Sequence, residues 1–300
     1  MENMVYEGNL AVQERTEGIN RALDDMNAGF KVIYRRIPKN NVVKDAFVMQ
    51  TGSGKYNCLP TVYPDHDLLK RNDFEIAKCL YGIFRKNAKN VDLSAILTPS
   101  YIKDNVYVRL VNAGNIKALD EAGVICAPYL DLAVIFSIRV PDFEEAGMHA
   151  SVKLTKELLK TTGMDIDEMM YYALENTGKD YQIRSMSEMI GEMTGCDMPE
   201  DDLQMPMWIV TNSEKLNAAA LILCPGVLKE LEKKLGSTFI LLPSSIHETI
   251  AVKMGNGDDD RMLRDYMEIV RSVNESTVST EDFLSNNIYI CKNGKISVVE

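Results

Sequence analysis

Apolar residues recur along this chain in two periods, and the way the periods alternate sets the expected fold class. Between residues 12 and 26, Ile19, Leu23 and Met26 fall at helical spacing and the segment closes near Gly29, which predicts an opening helix. Residues 30–34 and 46–49 read as strands around the polar turn Pro38-Lys39-Asn40-Asn41, with residues 56–63 as a third. Leu68, Leu69, Ile76, Leu80 and Ile83 predict one long amphipathic helix, with Asp65 or Asp67 as its N-cap. Residues 106–110 form a strand and residues 132–138 an unbroken apolar one, which points to burial on both faces. A strand near 150–154 precedes a helix capped by Asp165, with Asn176 near its end, and a further helix spans 185–193.

After a turn-rich acidic stretch, the pattern predicts strands at 208–211 and 219–223, then a helix over 227–235 closed by Gly236. Strands at 239–242 and 249–253, a helix over 262–273 and a short helix over 280–284 follow. A terminal hairpin, 288–291 with 296–299, turns at Asn293-Gly294, a pair that tolerates the positive φ of tight hairpin turns. The expectation is therefore an α+β fold of mixed, largely antiparallel sheets with packed helices in two closely packed subdomains. Residues 1–197 and 205–300 form the two regions, and 198–204 an acidic connector.

Composition narrows the function classes. The 300 residues, 46% of them hydrophobic, suffice for a sizeable core, and the longest apolar run, 130–140, contains Asp131 and Arg139. That run is far shorter than the roughly 20 residues a membrane span needs. A charge of −11, from 44 acids and 33 bases, opposes broad attraction to nucleic acid or anionic membranes. The acid runs at 200–202 and 258–260 have the Gly and Pro neighbours of solvated loops. Six cysteines without a Cys-x-x-Cys pair, and a start without a basic-then-apolar leader, point to reduced thiols and a cytoplasmic location.

Candidate chemistry is sparse. Pro243-Ser244-Ser245-Ile246-His247-Glu248 holds the residue types of a serine hydrolase, with Ser244, Ser245, His247 and a distant Asp131 as catalytic candidates. The same segment also reads as a hairpin turn whose serines satisfy local backbone, since no Gly-x-Ser-x-Gly elbow exposes a nucleophile. Asp131, at the mouth of an apolar strand, must be paired or hydrogen-bonded, with Asn112, Asn176 or Asn212 as candidate partners. Asn112, Asn176, Asn212, Asn217 and Glu248 are the binding candidates.

His66, His149 and His247 lack the spacing of a zinc helix motif, so no metal and no cofactor are expected. Asp65-His66-Asp67 reads as a helix start, and Thr51-Gly52-Ser53-Gly54-Lys55 as a loop lacking the spacing of a phosphate-binding loop. The seventeen methionines, Met169, Met170, Met186, Met189 and Met193 among them, suit core packing or an adaptable binding face.

Several segments together carry a family likeness. They include Pro60-Thr61-Val62-Tyr63, Arg109-Leu110-Val111-Asn112, Pro128 to Phe136, Ala173-Leu174-Glu175-Asn176-Thr177, Val210-Thr211-Asn212, Lys215 to Ala219 and Leu241 to Glu248. In these the chain resembles the domain-of-unknown-function family five-six-eight-eight, found in gut-dwelling Gram-positive bacteria and their mobile elements. The resemblance implies no reaction. Two readings follow: a non-enzymatic protein-interaction factor with an immunity, anti-defence or regulatory role, and a hydrolase built on the Ser-Ser-Ile-His-Glu segment.

Overall fold

The computed structural model describes residues 5–7, 10–52, 56–90, 93–140, 150–195, 206–254 and 260–299. The chain divides into two compact units, Met1–Ala95 and Ile96–Glu300, and together they form an α+β fold.

The first unit runs β1 (Val5–Glu7), α1 (Leu10–Asp25), β2 (Lys31–Pro38), β3 (Val42–Gln50), β4 (Thr61–Val62), α2 (His66–Leu69) and α3 (Asp73–Asn87). β2 and β3 form an antiparallel hairpin whose turn holds Asn41 at φ 62°. On its other side β3 pairs first with β1, in parallel, and then with β4. Ile19 and Leu23 of α1 and Ile76, Leu80 and Phe84 of α3 close over Val32, Phe47 and Met49, and Phe30 stacks on Phe84 at 4.2 Å.

The long helix expected over 68–83 is two helices. Asp65 caps α2 by accepting from Leu68 N–H, and Asn72 restarts the chain with a capping box to Glu75. Arg15 of α1 holds the break. It donates to Leu69 O at 2.7 Å, to Arg71 O at 2.5 Å and to the Asp73 carboxylate at 2.7 Å. The carbonyls left open at the end of α2 thus gain a charged donor.

In the second unit α4 (Leu93–Ile96), at the division, α5 (Pro99–Asn105), β5 (Val106–Asn112), α6 (Ile116–Glu121), β6 (Cys126–Tyr129), β7 (Leu132–Val140) and β8 (Ala150–Lys153) come first. They are followed by α7 (Lys156–Thr162), α8 (Ile166–Thr177), β9 (Gln182–Ser185), α9 (Met186–Thr194), β10 (Met207–Thr211), α10 (Pro225–Leu235), β11 (Thr238–Leu242), β12 (Thr249–Lys253), α11 (Asp260–Thr277), β13 (Tyr289–Lys292) and β14 (Lys295–Val298).

β7 is the centre of a small antiparallel sheet, with β5 on one edge and β6 then β8 on the other. A six-stranded antiparallel sheet has the order β14-β13-β11-β12-β10-β9. α11 covers one of its faces, Leu263, Tyr266 and Val270 meeting Ile240, Leu242 and Val252. The opposite face carries Val210, Phe239, Leu241 and Ala251, packed with α10 and with Val108, Val134 and Phe136 of the small sheet. β7 is buried along nearly its whole length, as its unbroken apolarity requires.

Other elements differ from the sequence reading for local reasons. Residues 219–223, read as a strand, form a 3-10 helix, Ala218–Leu223, buried on all sides, a burial that erases the periodicity separating helix from strand. Residues 280–284 form a turn and a bridge to Ser245 instead of a helix, and the third strand of the first unit contracts to Thr61–Val62. The compact units divide at residues 95/96 rather than at 198–204, because β9 pairs with β10 and so joins the segments flanking that stretch. The connector itself, acid run 200–202, residues 258–259, His149, Cys196 and residues 53–55 of the glycine-containing loop lie outside the described residues.

One close approach in the first unit makes a direct test. A Cβ on Gly18 would lie 1.9 Å from Asp73 Oδ2, the carboxylate that Arg15 holds. Gly18→Ala is expected to lower stability by about 1–3 kcal/mol, the usual cost of overpacking, in chemical denaturation; unchanged stability would show that Asp73 moves aside freely.

Candidate functional site

β6 and β7 are joined by a two-residue turn, Leu130-Asp131, in which Leu130 takes φ 54°, a conformation a leucine seldom adopts. Asp131 anchors this turn. Its carboxylate accepts from Ser285 Oγ at 2.5 Å, Asn287 Nδ2 at 2.9 Å and the Tyr289 phenol at 2.5 Å. All three donors come from the segment entering β13, so the turn of the small sheet is tied to the large one. The asparagines proposed as partners from sequence are elsewhere: Asn112 donates to Leu284 O at 2.8 Å, one residue before that segment. Burial first, and then the hydrogen bond and negative charge of Asp131, push the Tyr289 phenol well above its ordinary value.

Pro243–Glu248 joins β11 to β12, as a hairpin connection should. Ser244 O accepts from Leu284 N–H at 2.9 Å, and Ile246 N–H donates to Asp282 O at 2.8 Å. Ser245 Oγ accepts the backbone N–H of His247 at 3.1 Å, a local serine turn. The imidazole is held at both nitrogens: Nδ1 accepts from Asn217 N–H at 3.3 Å, and Nε2 lies 3.0 Å from Asp282 Oδ1. This network places the ring proton on Nε2, facing the carboxylate. Ser279 Oγ donates to the other Asp282 oxygen at 2.8 Å, and Glu248 is exposed. The chemistry available here is that of a clasp, with the histidine bridging two loops.

The remaining candidates gather in a cleft of about 290 Å³ beside β5. Asn176, at the end of α8, donates to Lys103 O at 2.7 Å and Val106 O at 2.9 Å, while Thr177 Oγ1 accepts from Val108 N–H at 3.1 Å. These side chains satisfy backbone groups of an edge strand that would otherwise be open. Asn212 uses both ends of its amide on Leu216, donating to its O and accepting from its N–H at 3.0 Å each, which closes the loop before the 3-10 helix. Asn217, at φ 54°, ends that loop against His247. The asparagines therefore shape the walls of the cleft, and the charges it holds are Arg109, Arg139, Lys179, Asp104, Asp180 and Glu214.

Glu214 pairs with Arg139 at 3.1 Å, and Asp180 accepts from Ser213 Oγ at 2.6 Å. Asp104 sits exposed on the rim. Arg109 and Lys179 form no ion pair with a carboxylate among the described residues; their partners are Tyr107 and Ser151 for Arg109 and Asn176 for Lys179. Sequence reasoning passed over both cations. The available signal was a charge, Arg109, set within the apolar alternation of β5, and another, Arg139, within β7. Asp282, Ser285, Asn287 and Tyr289 were missed because each is more than thirty residues in sequence from the group it serves.

No cluster of three or more His, Cys, Asp or Glu side chains able to hold a metal occurs among the described residues. Burial pushes the thiols of Cys224 up to about 12 and Cys291 up to about 11, so both stay protonated at neutral pH and pack as small apolar groups. No described helix is long and apolar enough to cross a membrane.

The fold and this cleft define the class: an α+β protein whose candidate site is a polar, asparagine-walled cleft on the edge of a small antiparallel sheet. The chain belongs to the family of unknown function DUF5688, whose model matches residues 13–292. No curated protein and no solved structure matches it.

Three measurements probe the geometry. Removing the Asp131 carboxylate strands three donors, and Asp131→Ala is expected to cost about 3 kcal/mol in denaturant titration, since one hydrogen bond to a charged group contributes about 1.5–3 kcal/mol. The raised phenol keeps its proton in the folded state where the unfolded chain releases it. Its contribution is therefore full below about pH 10 and is lost as pH rises toward the folded-state value. Tyr289→Phe should accordingly flatten the alkaline decline in stability, and an unaltered pH profile would contradict the assignment. His247→Phe removes the acceptor for Asn217 N–H. Amide exchange at Asn217 should accelerate roughly fivefold to tenfold, in keeping with one hydrogen bond of about 1 kcal/mol, whereas unchanged exchange would place the loop's support elsewhere.

Proposed function

We propose that this chain is a non-enzymatic, cytoplasmic protein-interaction factor serving a bacterium or mobile element in immunity, anti-defence or regulation, and that it engages its partner at the cleft beside β5. The observation that carries the reading is the cleft itself, whose walls are pinned by asparagine amides and which holds two cations, Arg109 and Lys179, unpaired with carboxylates among the described residues. In a chain of net charge −11 the cleft is balanced, Arg109, Arg139 and Lys179 against Asp104, Asp180 and Glu214, and so less negative than the chain at large. The rigidity of the walls favours binding, since a preformed site loses little freedom when it is occupied.

The bonding of the catalytic candidates also supports a binding role. Nucleophilic catalysis would require a serine hydroxyl on a His247 nitrogen, but both nitrogens are engaged by Asn217 and Asp282. Asp131 is committed to three donors of its own. A hydrolase using Ser244, Ser245, His247 and Asp131 would need both sets of bonds to rearrange.

Affinity capture from host lysate tests the reading with wild type, Lys179→Glu at the cleft rim, and Glu121→Lys as an exposed control on α6. A specific partner should be recovered by wild type and the control and fall about tenfold with Lys179→Glu, the effect of reversing an interfacial charge. Recovery of no partner, or equal recovery by all three proteins, would overturn the proposal.

A further inference from the structure

The strand pattern around Arg109 points beyond a general binding cleft to the chemistry of its occupant. Along β5, Val106, Val108 and Leu110 enter the core, which turns Tyr107 and Arg109 to the opposite face of the small sheet. The register sets Ser137 opposite Tyr107, and Lys153 opposite Ser137 on the next strand. Ser151 lies opposite Arg139. Tyr107, Arg109, Ser137, Arg139, Ser151 and Lys153 therefore share one face.

That face is rich in donors. Arg109 donates to the Tyr107 hydroxyl and to Ser151 Oγ, and its guanidinium lies 5.1 Å from the centre of the Tyr107 ring. Neither hydroxyl neutralises the charge, and each, having accepted a bond, still has an O–H to donate. Arg109 Nε and Ser137 Oγ are buried with no hydrogen-bond partner among the described residues, and Ser137 is fully buried. A buried polar group without a partner is uncommon and costly. Arg109 and Arg139 both reach the cleft, where Arg139 is neutralised by Glu214 and Arg109 is not. Lys179, on the same cleft, is a second cation without a carboxylate partner among the described residues, and Asp104 and Asp180 are two acids there that no described cation pairs with.

From these unsatisfied donors, on a cation that no described carboxylate pairs with, we infer that the cleft takes an oxyanion, a carboxylate or a phosphate group, on the Arg109 guanidinium. Guanidinium offers parallel N–H donors that match both groups; because Nη2 already gives its hydrogens to Tyr107 and Ser151, the entering oxyanion displaces at least one of these hydroxyls, which can then donate to it. This assignment rests on the cleft being the binding site and names the group that a partner or small ligand would insert there.

The test reads Arg109 directly. Its Nε–Hε resonance in ¹⁵N-labelled protein is followed during titration with inorganic phosphate, with glutarate, and with an acetylated and amidated Gly-Glu-Gly peptide. Gly-Gln-Gly and sodium chloride at matched ionic strength serve as controls. A saturable shift with phosphate alone assigns a phosphate site, and one with glutarate or the Glu peptide assigns a carboxylate site. Arg109→Lys should bind roughly tenfold more weakly, since ammonium lacks the planar fork. Arg109→Gln, checked for folding by its melting curve and followed through the backbone amides of residues 107–109, should not bind. No saturable shift with any of the three probes, or equal affinity in Arg109→Gln, would overturn the inference. Because the readout uses no macromolecular partner, that failure would leave the interaction reading to its own capture experiment.

Discussion

The second unit depends on how it accommodates one carboxylate. Asp131 stands where an apolar strand begins, and a charge in that position is tolerable only with donors close by. Ser285, Asn287 and Tyr289 supply them from a single segment. In doing so they join the turn of the four-stranded sheet to a strand of the six-stranded one and hold Leu130 in an unfavourable backbone conformation. The same segment is tied on its other sides. Asn274 of α11 donates to Ser285 O, Asn112 to Leu284 O, and the hairpin connection of β11 and β12 pairs with residues 282–284. A stretch without regular structure is thereby ordered by side chains from several elements, which explains why its own sequence was misread as helical.

The cleft follows a related logic. Its asparagines use their amides on backbone groups that secondary structure leaves open: the outer edge of β5, the loop after β10 and the entry to the buried 3-10 helix. His247 extends the chain of bonds from that loop to Asp282 and the Asp131 segment. The walls of the candidate site and the joint between the sheets are parts of one network. Local rigidity of this kind places Arg109 and Lys179 in a preformed setting, the property a recognition site requires.

Part of the site was legible before folding was considered. Asp131 was conspicuous as a charge against an apolar run, and His247 as a rare imidazole beside hydroxyls and a carboxylate. Asn176 stood out as an amide near a helix end, and Asn212 and Asn217 as binding candidates. Their partners were not legible, since hydrogen-bonding capacity is a property of the residue while its satisfaction depends on neighbours brought close by the fold. Arg109 was overlooked for the converse reason. Arginine is common on strand edges, and that no described carboxylate pairs with this one becomes visible only in the folded chain.

The sequence by itself determined the element types wherever one face is buried and the other wet, because that contrast imprints a period of two or of about 3.6 on the chain. It therefore set α1, the β2–β3 hairpin, β7, the Asp165-capped α8 and the Asn293-Gly294 turn. Tertiary structure alone decided the 3-10 helix at Ala218–Leu223, whose burial on all sides leaves no period to read. It also decided the break between α2 and α3, made favourable by an arginine more than fifty residues away, and the division of the chain at residues 95/96. In each case the deciding contact is long-range, and a linear pattern carries no record of which distant groups will meet.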